Sequence, residues 1–438
     1  MQKDGSTRGL GVASASALVV ANMVGAGVFT TSGFALGDLG SRAWVMGAWV
    51  VGGIVALCGA LCYGALGRRF PESGGEYLFL SRMVHPLAGF LAGWVSLLAG
   101  FTAPIAAAAL GLQAYVSASI ELEGRPEWIG TGAIALAGLI HGLRFREGVW
   151  LQNAAVLLKL LLVFGFVAFG LASLTARADA APLAVEPSWG AFAVTLVWVS
   201  FSYSGWNAAV YIAGEMRDTE RNLGRSLLLG ASTVMVLYVG LNAVFLWSVP
   251  AAELAGRAEV GAIAARALGG EWLQNGVSGL VALALFTSIW SMVMAGPRVY
   301  AKMAEDGLFP RTFRAGDRTP TAAIALQTVA AIGVVWVSGL AELFSYIGFT
   351  LGLSAAVTVG ALFVLRTREG AERVPVPGFP LVPLVFVAAT LWGAVFIVLR
   401  EPVQALMGLA TALLGIPLYL WMRRSSLGSG AQRPGANA

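Results

Sequence analysis

Between Arg8 and Asp38 the chain carries no ionisable side chain. A run of that length can cross the ~30 Å hydrocarbon core of a bilayer as one helix. Its middle nevertheless reads "ANMVGAGVFT", where Asn22 and the glycines of Gly25-Ala26-Gly27 are residue types that let a helix come apart. Lipid cannot solvate freed amides and carbonyls. Broken backbone at that depth must therefore be buried in protein or line a watery cavity.

Eleven more apolar runs follow, giving spans near 10–36, 43–66, 84–116, 127–142, 149–173, 189–213, 226–249, 275–297, 321–338, 342–365, 380–399 and 403–422. The runs are continuously apolar rather than alternating, which argues for helices over a β-barrel. The expected fold is an all-α membrane protein with 12 transmembrane helices. The third span is over-long and the fourth short. The segment from Glu253 to Glu271 reads as an amphipathic surface helix outside the membrane.

Composition agrees: 58% of residues are hydrophobic, 12% are charged and the mean hydropathy is +0.77. Soluble domains carry about 25% charged residues. No short cleavable signal precedes the first span, so that span is expected to be retained. With the N-terminus in the cytoplasm, cytoplasmic segments hold 21 Lys and Arg and external ones hold 6. That bias places both termini in the cytoplasm. It also accounts for the net charge of +5 without nucleic acid as a partner. The expected partners are the lipid bilayer and a small-molecule substrate.

Cys58 and Cys62 lie four apart in the second span, with no His, Cys or carboxylate nearby to complete a metal site. His85 and His141 form no metal or catalytic motif. No metal, cofactor or enzymatic activity is expected.

A second interruption lies 180 residues after the first, in "VTLVWVSFSYSGWNAAVYIAGE", where Ser202, Ser204 and Gly205 sit at mid-depth. Each break falls in the first helix of a five-helix set, and an odd number of spans turns the second set over. Paired interrupted helices in inverted halves point to a transporter's substrate site. The organisation expected is a first inverted repeat over 1–175, a second over 188–366, two further helices over 380–422 and a cytoplasmic tail over 423–438. The Pro-rich linker Val374 to Pro380 separates the repeats from the last pair.

Unwinding frees amides at the start of one half-helix, about +0.5 charge, and carbonyls at the end of the other, about −0.5. An anion seat thus lies beside a cation seat, matching a zwitterionic α-amino acid. The carboxylate is expected on the amides of Ala26 and Gly27, beside Asn22 and Gly25. The ammonium is expected on the carbonyls of Met23, Phe201, Ser202 and Ser204, with Gly205 completing the second break. Phe201 borders this site and is a candidate lid. Glycines in membrane helices are also common packing contacts, and the second, matched break is what tips the balance.

Lys159 lies well inside the fifth span, where insertion costs roughly 2.5–3.5 kcal/mol. It is expected to face the protein interior, held by backbone carbonyls and by Thr287 and Ser288 of the eighth span. No Asp or Glu lies at the middle of any span, which favours neutral substrates.

The stretches "MVGAGVFTTSGFAL", "RRFPESGGEYLFL", "FSYSGWNAAVYIAGEMRDTERNLGRSLL" and "PRVYAKMAEDGLFP" resemble the signature segments of the amino acid–polyamine–organocation superfamily. With "LQNAAVLLKLLLV" the chain most resembles the L-type amino acid transporter branch and its bacterial relatives. The resemblance implies a five-plus-five inverted-repeat fold and alternating access. It puts the substrate motif on Gly25, Ala26 and Gly27 and the gating aromatic on Phe201. It puts Lys159 where sodium-coupled relatives bind a cation, implying sodium independence. Two residues depart from the family pattern: Ala26, where Ser or Thr is usual, and Ser204, where many L-type members have Gly. The second narrows the pocket toward small substrates. The loop after the third span lacks the cysteine that eukaryotic members use, so no disulfide-linked partner subunit is expected.

Together these features describe an inner-membrane permease for small, neutral L-amino acids, driven by exchange or by protons. A cationic amino acid or polyamine carrier, and a membrane amino acid sensor without transport, are the alternatives.

Overall fold

The computed structural model describes residues 10–120, 125–143, 148–174, 183–314 and 319–428. The charges Lys3, Asp4 and Arg8, and the tail beyond 428, lie outside the described residues.

The chain runs as α1 (Val12–Met23), α2 (Ala26–Leu39), α3 (Arg42–Arg69), α4 (Gly75–Met83), α5 (Pro86–Val95), a π-helical stretch (Ser96–Thr102) and α6 (Ala103–Ser117). It continues through α7 (Glu127–Gly142), α8 (Gly148–Ser173), α9 (Trp189–Ser202), a 3-10 segment (Ala208–Glu215), α10 (Thr219–Ser248), α11 (Ala251–Leu254) and α12 (Val260–Glu305). It ends with α13 (Thr321–Val337), α14 (Leu340–Glu369), α15 (Leu381–Arg400) and α16 (Pro402–Gly428). Among the described residues no strand forms, and eight helices are long and apolar enough to cross a membrane. The pair α1 and α2, bent by 45° at its break, makes a ninth candidate, and α9 and α13 are shorter apolar helices.

The over-long third span resolves into α5, the π stretch and α6 as one crossing from Pro86 to Ser117. Pro104 has no amide to give to the preceding turn, and Thr102 Oγ1 donates to Leu97 O at 2.9 Å, five residues back, which suits the wider π register. The segment from Glu253 to Glu271 is not one surface helix. The single turn α11 is followed by the start of α12, whose Ala262, Ala264 and Ala265 are buried. Gly269 and Gly270, the latter at φ 74°, then break that helix. Small side chains let this stretch lie close to the core instead of floating on it.

The outer faces are apolar, as a lipid-facing surface requires. On α8, Leu158 and Leu161 are 47% and 62% exposed while Lys159 is 2% exposed. The lysine therefore points inward, with Val163 and Phe166 on the same buried face. Small residues set the closest helix approaches: a Cβ on Gly64 of α3 would stand 2.8 Å from Gly224 Cα of α10. Gly64→Val is expected to lower the melting temperature in detergent, at about 1–3 kcal/mol of overpacking. Wild-type melting would remove this account of the α3–α10 contact.

Candidate functional site

The first break is backbone-encoded. Val24 (φ −74°, ψ 91°) and Gly25 (φ −136°, ψ −157°) are extended between α1 and α2. Gly25 caps α2 without a side-chain hydrogen bond, so among the described residues it offers the first-turn amides of Ala26 and Gly27 no side-chain cap. Asn22 is exposed beside the break and its Nδ2 donates back to Leu18 O at 2.9 Å.

The second break follows α9. Tyr203 to Asn207 form a turn, Gly205 has φ 95°, and the chain continues as a 3-10 segment rather than an α-helix. The two breaks touch. A Cβ on Gly205 would lie 3.1 Å from the Asn22 carbonyl, and one on Gly27 would lie 2.4 Å from Ser202 Oγ and 2.6 Å from its Cα. Glycine at 27 is thus what allows α2 to start against the end of α9. Thr31 Oγ1 and Ser202 Oγ share a hydrogen bond of 2.9 Å across this contact.

One hydroxyl ties both breaks together. Tyr238 Oη, from α10, lies 2.6 Å from Met23 O and 3.2 Å from Ser202 O. Its ring packs against Trp49 and Tyr203, and Tyr203 Oη donates to Trp49 O at 3.0 Å. Trp49 Nε1 donates to Ser32 Oγ at 2.8 Å, and Ser32 Oγ in turn bonds Asn242 Oδ1. This network fixes α2, α3, α10 and the second break relative to one another. Sequence reasoning missed Tyr238 and Asn242. The available signal was a polar pair one helical turn apart in "VLYVGLNAVF".

Lys159 reaches the first break from α8. Its Nζ donates to Val24 O at 2.9 Å and lies 3.5 Å from Ala21 O. These are end-of-helix carbonyls, where positive charge is favoured. The hydroxyls of Thr287 and Ser288 instead donate to Ala284 O, each at 2.9 Å. Ser288 Oγ would be 3.9 Å from a Cβ on Gly25, so α12 borders the break without bonding the lysine. Helix-interior hydroxyls prefer their own preceding turn.

Of the carbonyls expected for an ammonium, Phe201 O already accepts the Ser204 amide at 2.8 Å. The carbonyls of Met23 and Ser202 share the single Tyr238 proton, the Met23 contact being the shorter, and each keeps a further lone pair. The Phe201 ring packs on Phe344 of α14 with centroids 5.1 Å apart. Tyr203 and Trp206 are buried packing residues, the latter 4.8 Å from the Tyr63 ring. Among the described residues no cluster of three His, Cys, Asp or Glu forms. A cleft of about 470 Å³ opens elsewhere, among α6, α7, α13 and the start of α14, beside Gln113 and Glu127. It contains none of the break residues.

A carboxylate that sequence reasoning did not single out lies nearby. Glu76 of α4 is 7% exposed and accepts hydrogen bonds from Tyr63 Oη at 2.6 Å and Ser354 Oγ at 2.9 Å. Asn207 Nδ2, two residues beyond Gly205, is 3.5 Å away. Its position in the loop sequence "PESGGEYLF" gave no sign of burial.

The chain is similar to known proteins along nearly its whole length. It is 27% identical over 427 residues to the Large neutral amino acids transporter small subunit 2 of Mus musculus, covering 94% of this chain and 80% of that one. Identity to the Asc-type amino acid transporter 1 of Mus musculus is also 27% over 427 residues, with the same coverage. The Serine/threonine exchanger SteT of Bacillus subtilis (strain 168) is 25% identical over 439 residues, 97% of this chain and 98% of that one. All are transporters by name, and the apolar bundle is that of a multi-pass membrane protein. The amino acid permease family matches residues 10–416, so the chain belongs to that family, a branch of the amino acid–polyamine–organocation superfamily.

Proposed function

We propose that this permease exchanges small, neutral L-amino acids without sodium. The observation that carries this reading is the pair of facing helix breaks bridged by the Tyr238 hydroxyl. The uncapped amides of α2 offer the carboxylate seat, and the spare lone pairs on Met23 and Ser202 offer the ammonium seat. Lys159 supplies positive charge at the end of α1, the role a bound cation would otherwise fill. Ser204, which carries a side chain where many L-type members have Gly, and the Phe201–Phe344 pair support a preference for short substrate side chains. The exchanger of serine and threonine aligns over almost all of both chains, and its two named substrates are small and neutral.

The architecture proposed is 12 spans with inverted repeats over 1–175 and 188–366, helices over 380–422 and both termini in the cytoplasm of an inner membrane. The charge bias of the loops supports that orientation. Alternating access would rock the helices around the two breaks. The only cysteines, Cys58 and Cys62, are buried within α3, which supports a carrier without a disulfide-linked subunit.

The test is counterflow in liposomes with labelled alanine, serine, leucine, arginine and putrescine. Alanine and serine are expected to exchange at equal rates with and without sodium. Preference for arginine or putrescine would overturn the neutral assignment, and binding without counterflow would favour a sensor. Tyr238→Phe is expected to reduce alanine exchange about tenfold, the value of the one hydrogen bond that the hydroxyl shares between the two breaks. An unchanged rate would separate the bridge from transport.

A further inference from the structure

Glu76 has no part in the substrate site described above, yet it is the buried carboxylate nearest the second break. Three elements converge on it. Tyr63 comes from α3, Asn207 from the turn after α9, and Ser354 from α14. The other polar groups facing this spot are Tyr211 from the 3-10 segment and Thr358 from α14. Thr358 Oγ1 is engaged with Ser354 O at 3.0 Å. On the flanking turn, Glu72 pairs with Arg82 at 3.6 Å, and His85 caps α5 at an exposed position. The ion pair of Arg69 with Glu369 closes the ends of α3 and α14 and does not include Glu76. No basic side chain among the described residues pairs with Glu76, so the charge is held by neutral donors alone.

We propose that Glu76 is a proton-binding site of the transport cycle, ionised when it ties α14 and the second break together and protonated when that end of the molecule opens. The inference rests on the permease reading and assigns it a coupled proton. The ionised carboxylate receives charge-assisted hydrogen bonds on both oxygens, roughly twice as strong as neutral ones. On taking up a proton it loses that advantage. With the proton on Oε2, that oxygen donates to the Ser354 hydroxyl, and Oε1 still accepts from Tyr63, but both contacts are now between neutral groups. Burial pushes the Glu76 carboxyl above the ordinary carboxylate range, while the Tyr63 and Ser354 bonds hold it down. Proton uptake therefore begins at a higher pH than at an exposed glutamate.

The connection to substrate is short. Asn207 and Trp206 directly follow the Gly205 break, and Trp206 packs on the Tyr63 ring that donates to Glu76. On α14, Ser354 holds the carboxylate while Phe344 packs on Phe201 at the substrate site. A change at Glu76 thus bears on both faces of the second break. By the loop charge bias, this end faces the cytoplasm.

The experiment measures alanine exchange in liposomes, with equal pH on both sides, from about pH 5 to 8.5, for wild type, Glu76→Gln, Glu76→Asp and Ser354→Ala. The wild-type rate is expected to fall as pH rises through the Glu76 titration, approaching about tenfold per pH unit on its steep limb. Glu76→Gln is expected to be flat, near the acid-side rate. Glu76→Asp is expected to keep a titration with a displaced midpoint. Ser354→Ala, which removes a donor to the charged form, is expected to move the midpoint to higher pH. Infrared difference spectra on acidification should show a protonated-carboxyl band in the wild type that is missing in Glu76→Gln. A wild-type pH profile in Glu76→Gln, or an unchanged band, would overturn the proton site and leave the permease reading intact. Absence of exchange by the wild type at every pH would sink the permease reading itself. If the glutamine variant does not fold, an unmoved midpoint in Ser354→Ala overturns the proposal.

Discussion

Replacing Lys159 with methionine is expected to reduce alanine exchange by about tenfold to a hundredfold and to lower the melting temperature in detergent. The lysine is 2% exposed and its Nζ donates to Val24 O at 2.9 Å. Methionine keeps most of the volume but leaves the end-of-α1 carbonyls without a donor. A buried unsatisfied acceptor costs about 1–3 kcal/mol. The loss falls on the break itself, because Val24 is one of the two residues that separate α1 from α2. Full, sodium-independent exchange by Lys159→Met would remove the role assigned to the ammonium. A variant that gains sodium dependence would strengthen it, since a bound ion would then take up the vacated charge.

Gly27→Val carries the second large effect. A Cβ at this position would fall 2.4 Å from Ser202 Oγ and 2.6 Å from Ser202 Cα. The second of these is main chain, so a rotamer change cannot relieve the clash. Either α2 moves away from α9 or the end of α9 shifts. Overpacking of this kind costs about 1–3 kcal/mol. Both responses separate the amide seat from the carbonyl seat, so exchange is expected to fall more than tenfold. Gly132→Ala on α7 is the control, because no atom lies within 4 Å of its added Cβ. Exchange by Gly27→Val at the rate of that control would show that close contact between the breaks is not needed for transport.

Much of the fold was legible because lipid makes backbone accounting strict. A span must satisfy its own amides and carbonyls, so a run of apolar residues reads as a helix, and glycine within one reads as a deliberate opening. The breaks at Gly25 and at Ser204-Gly205 were found this way, as was the inward-facing Lys159, whose cost in lipid demands a protein-lined position. The segment from Glu253 to Glu271 is amphipathic as expected but is not one helix, because it divides into α11 and the start of α12. The helical part from Val260 buries one face through Ala262, Ala264 and Ala265 and leaves Arg266 exposed, and the glycines at 269 and 270 separate it from the rest of α12.

What the chain alone could not supply were partnerships between distant helices. Thr287 and Ser288 lie at a suitable level to meet Lys159, but sequence spacing does not say which way a hydroxyl turns, and both turn to Ala284 O. Tyr238 stands 215 residues from Met23, and only packing brings its hydroxyl to both breaks. Glu76 sits in a loop sequence that looks solvent-exposed, and its burial depends on Ser354, 278 residues away.

The sequence by itself determined where most of the helices run, where two of them open and that Lys159 is buried, because local backbone demands in lipid are written in residue type. The tertiary structure decided which groups close around those openings. Hydrogen bonds between side chains and remote carbonyls depend on helix rotation and approach to within a few tenths of an ångström, and no pattern along the chain encodes that directly.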